Sequence, residues 1–99
     1  MQNELPVPAT ARSDKGAREL IRAWAANGGL HCSLNVDRWG DRERIAWGVL
    51  LTDVARHVAN ALHEAKGWDK QETIAEIRRV FNAELEHPTA IPSGQFHTH

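Results

Sequence analysis

The chain has 99 residues, 41% of them hydrophobic and 25% charged, with a formal net charge of −1. That length allows one small domain with a single modest core, and the balanced charge supplies no global basic field that would draw nucleic acid. No apolar run approaches the roughly 20 residues of a membrane helix, and the N-terminus lacks the charged-then-apolar layout of a leader.

A single cysteine, Cys32, cannot form an internal disulfide. An unpaired thiol fits a reducing compartment, so a cytoplasmic location is expected. Protonating all six histidines would add six charges and take the formal charge from −1 to +5. Solubility and self-association are therefore expected to respond between about pH 7 and pH 5.

Residues 1–15 hold two of the four prolines and no sustained period, which predicts a flexible N-terminal arm. The domain proper is expected over 16–87, and 88–99, with Pro88 and Pro92, reads as an irregular C-terminal tail. Within the domain, residues 18–26 have two readings. Ala17, Leu20, Ile21, Trp24 and Ala25 have helical spacing, yet Ile21, Ala23 and Ala25 also alternate. Leu30, Cys32, Leu34 and Val36 alternate after the glycines, and a strand there needs a partner. The hairpin is the reading adopted. A two-residue loop would put Ile21, Ala23 and Ala25 on the face of Cys32 and Leu34; a three-residue loop would put Leu20, Arg22 and Trp24 there.

Asp41 can cap a long helix over about 42–66, with Trp47, Leu50, Leu51, Val54, Val58, Ala61 and Leu62 as its apolar face and Gly67 at its end. Asp69 with Glu72 matches a capping box for a second helix over about 70–86, whose stripe is Ile74, Ile77, Phe81 and Leu85. The short turn between them predicts an antiparallel pair. The fold expected is α+β, a β-hairpin followed by two antiparallel helices (ββαα), with the sheet completed by pairing across a dimer.

GGLHCSL at 28–34, followed by Trp39 and by AWGVLLTDVARHVANA at 46–61, resembles a family of short bacterial proteins known as domain of unknown function 5076. The resemblance covers roughly residues 18–86, leaves both tails outside, and implies a bacterial cytosolic protein with no activity to transfer.

Chemistry has few places to sit. Strand alternation sends His31 and Cys32 to opposite faces, so the pair cannot ligate one metal, and Cys32 is expected to pack inward as a small hydrophobe. His31 would share its face with Ser33 and lie across from Trp24. Four tryptophans, Trp24, Trp39, Trp47 and Trp68, are many for so small a core, and tryptophan is a frequent interface anchor. The leading expectation is a non-enzymatic binding or interaction module using Trp24, His31 and Ser33 with Trp39 at the margin, its partner a second copy or another protein.

The alternative is a small metal-dependent or acid–base enzyme. Asp53 and His57 are four residues apart, so the carboxylate could orient the imidazole, with Arg56 beside them as an anion-binding group and His31 contributed from the hairpin. Neither a Walker loop nor a Gly-x-Gly-x-x-Gly turn nor a nucleophile elbow is present. No cofactor, metal or catalytic residue is assigned, and acidic neighbours interrupt Arg42, Arg44, Arg78 and Arg79, which disfavours nucleic acid.

Overall fold

The computed structural model describes residues 3–89 and 93–98. Its elements in chain order are α1 (Ala9–Ser13), β1 (Ile21–Ala26), β2 (Gly29–Val36), a 3-10 turn (Gly40–Arg42), α2 (Glu43–Lys66), α3 (Lys70–Glu86) and β3 (Ser93–Thr98). The fold is α+β, with an antiparallel hairpin ahead of two helices. Among the described residues no helix is long and apolar enough to cross a membrane.

The hairpin turns on Asn27 and Gly28, with φ of 50° and 76°. Two successive left-handed residues match the twist of the flanking strands, which is why Asn-Gly favours this turn. A two-residue loop sets the register: Ile21 opposes Leu34, Ala23 opposes Cys32 and Trp24 opposes His31. One face therefore carries Ile21, Ala23, Ala25, Leu30, Cys32 and Leu34, and the other carries Arg22, Trp24, His31 and Ser33.

Two terminal expectations are corrected. The tail expected to be irregular over 88–99 contains β3, which runs parallel to β2 from His31↔Ser93 to Val36↔Thr98 and makes the sheet three-stranded, in the order β1-β2-β3; residues 90–92 and 99 lie outside the described residues. A parallel neighbour needs a crossover, here supplied by both helices, and the open edge of β2 is what β3 pairs with. Such pairing is non-local and leaves no period to read. Within the N-terminal arm, expected to be flexible over 1–15, Ala9–Ser13 form α1, and Glu4 makes an ion pair with Arg22 of β1. Glu19 holds the same guanidinium at 3.0 Å. The arm is thus fastened to the Arg22 and Trp24 face of the hairpin.

α3 begins as expected, with the Asp69 carboxylate accepting the Glu72 backbone N–H at 2.9 Å. α2 ends as expected at Gly67, whose φ of 73° lets its N–H reach the His63 carbonyl at 2.8 Å. The start of α2 differs. Asp41 lies in the 3-10 turn, and Arg42 at the cap position makes no side-chain capping bond.

Glu43 does the work assigned to Asp41. Its carboxylate accepts the backbone N–H of Asp37 at 2.8 Å, the N–H of Trp39 at 2.9 Å and the indole N–H of Trp47 at 2.9 Å. The loop leaving β2 contains Asp37 at φ 71° and so turns its N–H groups away from any strand partner; Glu43 satisfies them from the first position of the helix. Partial burial pushes this carboxyl group up, but the N–H of Trp39, the indole of Trp47 and the N–H groups of Asp37 and Arg38 bind the anion and hold its pKa below the ordinary 4.5.

α2 and α3 pack on each other, along a seam marked by Ala55, Ala59 and Leu62 on one side and Ile74 and Ile77 on the other. Among the described residues only Ala59 is a buried hydrophobe, at 2% exposure. Phe81 and Leu85, on the same α3 stripe, stand in solvent. Neither helix packs broadly against the sheet. Cys32 is accordingly half-buried rather than enclosed in a core, and Ile21 and Leu30 on its face are exposed. The radius of gyration is 15.3 Å, against about 13 Å for a compact domain of about this length.

Two stability outcomes follow. Asp69→Ala is expected to lower unfolding free energy by about 1 kcal/mol in urea titrations, the usual cost of a lost N-cap. For Glu43, a depressed folded pKa means that its contribution is complete above the ordinary 4.5 and is lost as pH falls through the folded value. Glu43→Gln is expected to melt earlier at neutral pH and to lose less melting temperature than the parent chain between about pH 4.5 and pH 2.5, in melts followed by circular dichroism.

Candidate binding groove

The clamp at Glu43 fixes Trp39 against the first turns of α2. From there the helix presents Arg42, Ile45, Ala46, Val49, Leu50, Asp53, Val54 and His57, which recur at three- and four-residue intervals and so share one flank. With Trp39 and Leu20, which directly precedes β1, they line an open groove of about 540 Å³. Its middle is aliphatic, with Ile45 at 56% and Val49 at 58% exposure. Arg42 marks one end, and Asp53 and His57 the other.

The groove divides the residues singled out in the sequence. Trp39 is in it, but none of Trp24, His31 or Ser33 lines it. Those three stay together on the hairpin, with Trp24 directly opposite His31 and Ser33 opposite Arg22. The His31 Nε2 lies 3.1 Å from the Ala26 carbonyl oxygen, across the hairpin end. Arg22 on this face is engaged by Glu4 and Glu19, so the arm already occupies part of the surface on which a ligand was expected. Of the four residues expected to form one face, only Trp39 lines the groove.

The polar stripe of α2 also differs in its pairing. Arg56 donates to the Asp53 carboxylate at 3.2 Å, one turn along the helix, and both side chains are exposed. Asp53 is therefore turned to Arg56, where the sequence spacing allowed it to orient His57. An exposed pair of this kind contributes little to stability. His57 and Asp53 do line one groove, but His31 does not join them, and among the described residues no three His, Cys, Asp or Glu side chains are grouped so as to hold a metal.

The remaining tryptophans have structural partners. Trp47 donates its indole N–H to Glu43, and Trp68 lies under the Lys66 ammonium, 5.4 Å from the ring centroid, while its carbonyl oxygen is 2.9 Å from His63 Nδ1. Sequence reasoning missed Arg42, Ile45 and Val49 as site residues. The available signal was that α2 carries two apolar flanks, one for α3 and one without a partner, and such a helix is normally enclosed.

The family model described as Domain of unknown function (DUF5076) matches residues 4–89. A solved structure from the photosynthetic bacterium Rhodopseudomonas palustrus, provisionally named a pyruvate dehydrogenase, is similar with a TM-score of 0.66 and 31% sequence identity, over 89% of this chain and 88% of that one. No curated protein matches. The family match extends past the 18–86 span of the recognisable motifs to include the arm at Glu4, whose ion pair with Arg22 makes it part of the folded unit. The chain belongs to the family of domain of unknown function 5076.

Proposed function

We propose that the chain is a small non-enzymatic protein-interaction module of a bacterial cytosol, and that its working surface is the α2 groove. One observation carries the reading. The chain exposes 8687 Å², whereas a folded monomer of 11.1 kDa is expected to expose about 5,700 Å² from the scaling of area with mass. The excess, about 3,000 Å², includes the aliphatic middle of the groove and the Ile21 and Leu30 face of the sheet. That excess is polar and apolar surface together; the part that points to a partner is the exposed aliphatic run of Ile45 and Val49 in one groove, since clustered exposed apolar side chains mark places where another chain binds.

The second reading is an acid–base enzyme using His57 and Asp53. It is favoured by their presence in one groove with Arg42, and the provisional name of the Rhodopseudomonas protein would give it a small 2-oxo carboxylate that Arg42 could bind. The groove lining includes no thiol, since Cys32 is on β2, and the Asp53 carboxylate is turned to Arg56. The interaction reading uses the whole groove; the enzyme reading uses only its end.

Native mass spectrometry of untagged protein from its host separates the two. The module reading expects added protein mass that is retained in Trp24→Ala, outside the groove, and lost in Val49→Asp. A bound small molecule or metal that disappears in His57→Ala, with no associated chain, would support the enzyme instead.

A further inference from the structure

We infer that the chain covering the α2 groove is a second copy of this one, docked with the two α2 helices antiparallel across a twofold axis. The inference rests on the interaction reading and names its partner. Area is the first argument. A standard protein–protein contact buries about 1,600 Å² in total, roughly 800 Å² on each side, which would leave most of the excess on this chain in water. An obligate homodimer, which buries about 2,000 to 5,000 Å² or more in total, takes up more of that exposed surface than a standard contact does.

Charge is the second argument. The groove is basic at Arg42, aliphatic through Ile45 and Val49, and acidic at Asp53. Arg42 and Asp53 are eleven residues apart, about 16 Å along a helix. A twofold axis through the aliphatic middle exchanges the two ends, so Arg42 meets Asp53 of the partner subunit and the reverse contact forms on the other side. A parallel arrangement would set like ends together. Among the described residues Arg42 has no ion pair, and the only one Asp53 makes is the exposed contact with Arg56, so both groups are available to a partner at little cost. An aliphatic centre with charges at the margin is also the usual anatomy of such a contact.

The dimer differs from one made by extending the sheet. β1 and β3 are the edge strands of the sheet, and strand pairing at either outer edge would leave the α2 groove open. In the α2 arrangement the groove is closed and Trp39 at its margin becomes an interface residue.

Sedimentation velocity on the purified recombinant chain alone, from about 1 to 100 μM, tests this directly, with circular dichroism confirming helix content. The parent chain is expected to be dimeric; Arg42→Asp and Asp53→Arg are each expected to weaken the dimer tenfold or more, and the double variant to recover most of the loss. Val49→Cys in a Cys32→Ser background is expected to form a disulfide-linked dimer on mild oxidation. A chain that stays monomeric throughout would overturn the second copy as partner while leaving the interaction reading to the associated mass found in native spectra. A parent dimer that both charge variants leave unchanged, or that the double variant fails to restore, would overturn the antiparallel α2 contact, as would a dimer that Val49→Cys does not link.

Discussion

One carboxylate decides how the two halves of the chain meet. Glu43 accepts N–H groups from the loop that leaves β2 and the indole of Trp47 from its own helix. Without an acceptor there, two backbone donors at a sharp change of direction would depend on water alone. With it, the 3-10 turn is held against α2, Trp39 is set at the mouth of the groove, and the direction of the helix relative to the end of β2 is fixed. The groove is therefore a product of a polar contact, although its lining is aliphatic. The low pKa of Glu43 is the electrostatic record of the same geometry, since hydrogen bonds to the anion outweigh partial burial.

Fixing a direction is not the same as covering a surface. Layered domains are stable because each sheet face and helix stripe that is apolar finds a counterpart. Here α2 and α3 provide counterparts for each other along Ala55, Ala59, Ile74 and Ile77, and the three strands satisfy one another's backbones. Helix against sheet is the layer contact the chain does not make broadly. The strands and helices bond their own backbones while little apolar surface is buried, and burial is the dominant favourable contribution to folding. The second apolar flank of α2, which a solvated helix would replace with charged residues, has its physical explanation in this shortfall.

What could be read from the sequence was what local chemistry determines. Asn27-Gly28 turned the chain and thereby set the register that separates Cys32 from His31. Asp69 and Gly67 closed the ends of their helices because each acts within one turn of itself. Features that depend on distant partners were illegible. β3 exists through an edge more than fifty residues upstream, and the arm acquires order through a glutamate meeting Arg22 across the intervening chain. Asp41 had the right residue type for a cap, but it lies in the 3-10 turn one residue before the cap position, which left Glu43 to collect the donors. The candidate site was half legible. Asp53 and His57 are in the groove as their spacing allowed, whereas the expectation that Trp24, His31 and Ser33 would share a patch with Trp39 required knowing how the hairpin sits on the helices.

That separation bears on which chemistry the fold can support. An acid–base centre needs its carboxylate, its imidazole and its substrate-binding cation within a few ångströms, held by contacts that fix their rotamers. Arg42 and Asp53 stand about three helical turns apart in the groove, and the cation beside Asp53 is Arg56, which already engages its carboxylate. Such spacing is poor for a reaction on one small molecule. It suits a surface that must fix the direction of an extended partner, because opposite charges separated by an aliphatic stretch penalise every docking that places like ends together. On the proposed reading, Arg42 and Asp53 are the residues that give the contact its polarity.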